Sequence, residues 1–193
     1  MKRSWLKKIG LIGLAVVVFM VLNHLYHIKF NYNFGTITEG KVYKSGVIPP
    51  EKIADYIKEN GIKAVVDFRH GEIQDALNPA NLGDIELERQ AVNAIPNVSY
   101  FNIPSSQIPT DDNLNELYAI LDKAENYPVL MHCYHGTGRA MIYSAIYKME
   151  YEDMPNEKAR QLTRPFYSLP FSSFGANKPK GKYVINYKKR DAK

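Results

Sequence analysis

The sequence predicts an α/β domain built on a central, mainly parallel β-sheet flanked by helices, with a transmembrane helix ahead of it. Three observations lead there. Short apolar runs, centred on Ala64-Val-Val66 and Val129-Leu-Met131, alternate with segments whose apolar residues recur at helical spacing. Such alternation marks strand–helix–strand units with parallel strands. An apolar run of 14 residues, Ile9–Leu22, follows a basic start. The chain has 193 residues and is 45% hydrophobic, enough for one domain with a core of its own besides that run.

The chain divides into a membrane segment (1–30), a folded domain (31–176) and a basic C-terminal tail (177–193). Lys2, Arg3, Lys7 and Lys8 lead the apolar run, and no acidic or basic residue other than histidine follows until Lys29. Fourteen residues match a signal-peptide core and fall short of the ~20 needed for a span. Trp5 and Leu6 can lengthen the run on one side. On the other, Asn23-His-Leu-Tyr-His27 supplies interfacial side chains and no small-x-small cleavage site. The preferred reading is an uncleaved signal anchor using residues 5–28; a cleaved signal peptide is the alternative. The basic flank stays in the cytoplasm, so the domain faces away from it, on the periplasmic side in a bacterium. Cys133, the single cysteine, finds no internal disulfide partner there.

The net charge of +5 is unevenly spread. Residues 1–30 hold five Lys/Arg and no acid, and 178–193 hold seven Lys/Arg and one acid. That leaves 13 basic against 19 acidic residues, a net of −6, in 31–177. The folded body therefore lacks the basic footprint of a nucleic-acid binder.

Asn31–Gly40 reads as a polar linker, and Lys41–Ser45 as a short strand turned by Gly46. Pro49-Pro-Glu51 opens a helix with Ile53, Tyr56 and Ile57 on one face, closed by Asn60-Gly61. Ile62–Phe68 is a buried strand. After a turn-rich stretch over 71–82, Ile85–Ala94 is an amphipathic helix with Glu86, Glu88 and Arg89 exposed. Asn97–Ile103 is a strand. The polar loop Pro104–Asp112 ends with Asp111 or Asp112 capping a helix whose Leu114, Leu117, Tyr118 and Leu121 share a face. Pro128–His132 is a buried strand, followed by a helix from Arg139 to Glu150. Another helix begins at Met154–Glu157. Residues 165–176 form an aromatic docked arm, and the tail from Asn177 is expected to be mobile.

The chemistry concentrates in His132-Cys-Tyr-His-Gly-Thr-Gly-Arg139, a loop between a strand and a helix. Backbone amides converging at a helix N-terminus make an anion cradle. Gly136 and Gly138 are expected to supply positive φ angles and room for the backbone to curl. Arg139 offers a planar fork matching two phosphate oxygens. A cysteine in that field is expected as the thiolate, with His132 assisting. A thiolate beside a phosphate monoester is a nucleophile aimed at phosphorus.

The pattern His-Cys-x-x-Gly-x-x-Arg in this context resembles the active-site signature of cysteine-based protein tyrosine and dual-specificity phosphatases. Tyr43-x-Ser-Gly46, a helix, and then Gly61-Ile-Lys-x-Val-Val-Asp-x-Arg69 also resemble the N-terminal half of dual-specificity phosphatases, in the compact atypical branch of bacteria, plants and fungi. The resemblance implies a dual-specificity-phosphatase-like fold in which Asp67 and Arg69 brace neighbouring loops. It implies Cys133 as nucleophile, with Arg139 and the loop residues His132, Tyr134, His135, Gly136, Thr137 and Gly138 binding the phosphate. A general acid protonates the leaving oxygen, water then hydrolyses the cysteinyl-phosphate, and no metal or other cofactor is needed.

Two positions depart from that pattern. Ala140 stands where the family carries Ser or Thr, so slower breakdown of the phosphoenzyme is expected. The loop that usually bears the aspartate acid holds Ser105, Ser106 and Gln107. Asp111 is the favoured acid, with Asp112 and His135 as alternatives. The expected partners are a phosphorylated protein, carrying phosphotyrosine or phosphoserine/threonine, or a small phosphomonoester, and a membrane. The rival readings are a pseudophosphatase that binds phosphate without turnover, an inositol phosphate phosphatase, and a rhodanese-like sulfur-transfer domain. A zinc site from His132, Cys133 and His135 would be cramped by the turn.

Overall fold

The computed structural model of the chain describes residues 2–72, 79, 81–162 and 172–190. Strands β2 (Val42–Ser45), β3 (Ala64–Asp67), β4 (Ser99–Asn102) and β5 (Val129–His132) run parallel, and β1 (Gly35–Thr38) pairs antiparallel with β2. The order across the sheet is β1-β2-β5-β3-β4. The last parallel strand in sequence is therefore the central one, and Ser45 and Asp67 flank His132 in register.

Helices α2 (Pro50–Asn60) and α3 (Leu82–Asn93) cover one face, packing on Tyr43, Val65 and Leu130. Helices α4 (Asp111–Leu121), α5 (Arg139–Tyr151), α6 (Asn156–Leu162) and α7 (Pro179–Asn186) cover the other, on Val42, Val66, Val129 and Met131. Because helices leave β5 and its neighbours towards opposite faces, a crevice opens beyond the carboxyl end of β5, where ligands of such sheets bind. Gly61 closes α2 in a left-handed cap at φ 62°, as its sequence announced.

Helix α1 (Lys2–Lys29) is the long apolar N-terminal helix; its stretch Lys8–Lys29, 22 residues with a mean hydropathy of 2.2 over the most apolar 18, is long and apolar enough to cross a membrane. The segment after it is not a free linker. Phe30 and Asn31 amides donate to Tyr26 O, and the Asn33 amide to His27 O. Tyr32 and Phe34 pack against Tyr56, and Phe34 stacks on Tyr43.

Four further expectations are corrected. Residues 35–38, read as linker, form β1. The cap of α4 is Thr110, in a capping box with Asn113; Asp111 and Asp112 occupy the first turn, where carboxylates suit the helix dipole without capping it. Glu88, read as exposed, is 1% exposed. The C-terminal segment is docked rather than mobile: Val184 is fully buried, Tyr187 OH contacts Tyr118 OH at 2.6 Å, and Arg190 pairs with Glu150 and Asp122 at 2.7 and 2.9 Å. Phe174 is buried as a docked arm requires, whereas 165–171 and most of the turn-rich stretch (73–78 and 80) lie outside the described residues.

Candidate active site

Cys133 sits at the carboxyl end of β5, 1% exposed, and the loop to Gly138 leads into α5 at Arg139. Gly136 has φ +69° and packs on the β2 turn; a Cβ there would lie 2.4 Å from Gly46 N and 2.5 Å from the Ser45 carbonyl carbon. Only glycine fits. Gly138, by contrast, has φ −114°. Its value lies in space, because a Cβ would meet Lys180 Nζ at 3.0 Å and Gln107 Oε1 at 3.2 Å.

Three struts fix the loop from outside. The Val47 amide donates to Tyr134 O (3.1 Å), Asn33 Nδ2 to His135 O (2.8 Å), and Lys44 Nζ to Gly136 O (3.2 Å). Lys44 also donates to Asn33 O at 2.7 Å, joining two of the struts. A planar trans peptide points its N–H opposite its C=O. Holding those three carbonyls outward therefore turns the amides of His135, Gly136 and Thr137 to the other side, where they can receive an anion.

Arg139, 4% exposed, donates through Nη1 to Phe68 O (2.7 Å) and Ser105 O (3.1 Å), tying the loops after β3 and β4 to the helix start. Ser105 is scaffold: its Oγ accepts from Tyr143 OH at 2.8 Å, and Tyr143 stacks on Phe68 with centroids 3.7 Å apart. Ala140 is fully buried, and the Ser144 hydroxyl one turn on donates to Ala140 O. Tyr134 and Thr137 are half-buried and His135 is exposed. Asp111 and Asp112 are exposed; Asp111 lines a groove with Ile108, Leu114, Lys182 and Tyr183, on the α7 side of α4. The position over the loop belongs to Gln107, whose Oε1 accepts from Lys180 Nζ at 2.6 Å.

Under the loop lies a buried charge cluster. His132 Nε2 is 2.9 Å from Glu88 Oε1 and 3.7 Å from Asp67 Oδ1. Arg69 pairs with Asp67 at 2.8 Å and with Glu88, and Tyr100 OH donates to Asp67 at 2.7 Å. Burial disfavours the imidazolium, but the Glu88 and Asp67 carboxylates outweigh it and raise the His132 pKa. Burial also opposes ionised Asp67, yet His132 and Arg69 hold its carboxyl below the usual range. Asp67, Glu88 and His132 are the one group among the described residues with metal-ligating composition. Its cation is already present as the Arg69 guanidinium, so the cluster fits an ion-pair brace and not a metal site. The expected bracing role of Asp67 and Arg69 takes this form. Sequence reasoning missed Asn33, Lys44, Glu88 and Lys180.

Residues 24–170 match the family model described as "DSP-PTPase phosphatase fused to NAD+ Kinase". Solved structures with the same fold include a DUF442 protein from Shewanella putrefaciens CN-32, 20% identical over 79% of this chain and 87% of that one, TM-score 0.56. The catalytic core of the PP-IP phosphatase Siw14 from S. cerevisiae is 15% identical over 81% and 85%, TM-score 0.57. P. aeruginosa TpbA is 21% identical over 82% and 86%, TM-score 0.55, and has also been solved in complex with phosphotyrosine. A comparison with curated proteins finds no match. With the family model covering most of the chain, and the cysteine loop, strut geometry and fold in agreement, the protein belongs to the DSP-PTPase family of cysteine-dependent phosphatases.

Proposed function

We propose that the protein hydrolyses phosphate monoesters through a cysteinyl-phosphate on Cys133, acting on phosphotyrosine or phosphoserine/threonine. The observation that carries this is the outward anchoring of Tyr134, His135 and Gly136 carbonyls, which leaves a ring of amides between Cys133 and Arg139. Those amides and the Arg139 fork stabilise the equatorial oxygens while sulfur attacks in line. Arg139 exchanges a carbonyl partner for the phosphate as it does so. TpbA, with its bound phosphotyrosine, supports an aryl ester as the first substrate to try. The inositol-phosphate reading draws support from Siw14 and from Lys178 and Lys180 beside the site.

The Asp111 carboxylate, the acid favoured from sequence, would have to leave its groove against α7 to reach the leaving oxygen. With α1 as the anchor, the domain stands outside the cytoplasm, close to the membrane; a reporter fused at Lys193 that is active only in the cytoplasm would count against this. The first experiment is hydrolysis of an aryl phosphate without added metal, beside Cys133→Ser. Turnover lost in the variant supports the reading. Absence of turnover in the wild type, with vanadate still bound, replaces it by a phosphate-binding pseudophosphatase.

A further inference from the structure

The loop after β4, where the family pattern carries its aspartate, holds Ser105, Ser106 and Gln107 here, and the structure puts a different proton carrier beside Gln107. Lys180 Nζ, from the start of α7, sits 2.6 Å from Gln107 Oε1 and 3.0 Å from where a Gly138 Cβ would be. It reaches the α5 end of the anion cradle from α7, where it meets Gln107 of the loop after β4. The side chain passes over the Phe174 ring, 5.8 Å from its centroid. Phe174 is fully buried, and its carbonyl accepts from Arg160 Nη1 at 2.7 Å. Gly181, next in sequence, lies so close to Gly175 O that a Cβ would come within 2.1 Å. The helix that carries Lys180 is thus seated by packing on both sides. A cavity of about 420 Å³ opens beside it, lined by Gln107, Ile108, Ser172, Ser173 and Lys178 as well, giving a leaving group somewhere to lie.

We propose that Lys180 is the general acid–base of this enzyme, in the position vacated by the aspartate. The assignment rests on the phosphatase reading above. In the first step a Cys133 electron pair forms the S–P bond, and the P–O bond to the leaving group breaks with its pair going to oxygen. That oxygen takes a proton from the Lys180 ammonium. In the second step water attacks phosphorus, the S–P pair returns to sulfur, and the neutral amine left on Lys180 takes the water proton. Lys180 is restored as ammonium, and inorganic phosphate is released. Gln107 holds Nζ over the loop without competing for its charge.

The test is the leaving-group dependence of kcat/KM, which reports the first step even where phosphoenzyme breakdown limits kcat. A general acid contributes roughly 10²–10⁴-fold, and only where the leaving oxygen needs a proton. Lys180→Met is expected to lower kcat/KM on phenyl phosphate by about 100-fold or more and on 2,4-dinitrophenyl phosphate by only a few-fold. Lys180→Arg keeps the charge but holds its proton to above pH ~12, so it is expected to resemble Met. An equal loss on both esters, or recovery with arginine, would show a phosphate-binding cation and overturn the proposal. So would Asp111→Asn producing the leaving-group pattern in place of Lys180→Met. Wild-type turnover that depends on Cys133 but not on Lys180 would remove this assignment and leave the phosphatase reading standing. Absence of any wild-type turnover would remove both.

Discussion

Glu88 is a carboxylate buried at 1% exposure, and what offsets its burial among the described residues is the pair of cations it faces, His132 and Arg69. Removing one partner of such a buried ion pair leaves the others uncompensated, at a cost of about 3–5 kcal/mol. Glu88→Gln is therefore expected to destabilise the fold by that order and to lower the His132 titration midpoint, read by imidazole NMR. The sign of the pH dependence follows. The folded His132 pKa is raised, so its imidazolium contributes stability in full below pH ~6.5, and the contribution fades as pH rises through the higher folded value. Asp67, held low, contributes above pH ~3.9 and loses its contribution as pH falls through its folded value. Glu88→Gln should flatten the His132 limb of a Tm-versus-pH curve. The signal for Glu88 was present in the sequence: Ile85 and Val92 are the buried apolar residues of α3, and position 88 lies one turn from each on the same stripe. A charged residue there was read by its chemistry instead of its phase. At Ala140, a hydroxyl that donates to the departing thiolate is worth about 1.5–3 kcal/mol. Ala140→Ser is expected to raise kcat roughly tenfold or more and to shrink any initial burst of product.

At the scale of elements, the catalytic loop is shaped less by its own residues than by what holds them. The strand, the loop and α5 were legible because the signature and the apolar run of β5 coincide. The struts were not, because Asn33 and Lys44 lie about a hundred residues away and polar residues at that distance carry no period. Helix α7 escaped for another reason: its eight residues include Pro179, Gly181 and two lysines, and its buried face is only Gly181 and Val184. Gly136→Ala should abolish turnover while the domain stays folded by circular dichroism, since the closest clash falls on the Ser45–Gly46 backbone beside the loop. Gly181→Ala should displace α7 and take Lys180 with it. The expected result is loss of activity on phenyl phosphate of the same kind as Lys180→Met, with a lower Tm; retention of full activity would show that α7 does not position the site.

At the scale of the whole molecule, the sequence conveyed the sheet, the α1 helix and the site as separate parts, and the structure joins two of them. Asn33, whose side chain bonds His135 O, lies four positions after Lys29, the last residue of α1. Four residues span at most about 14 Å, and the turn after α1 is closed by backbone hydrogen bonds instead of being left slack. Asn33→Ala should lower kcat/KM several-fold through a loosened loop, measured on a soluble aryl phosphate. With α1 seated in a bilayer, the same phosphopeptide should be hydrolysed faster when lipid-tethered to the vesicle than when free, and equal rates would argue against a membrane-held site. The consequence is one of dimensionality. An enzyme anchored in that way would search a plane, and its encounter rate would be set by the surface density of phosphate on that plane and by lateral diffusion.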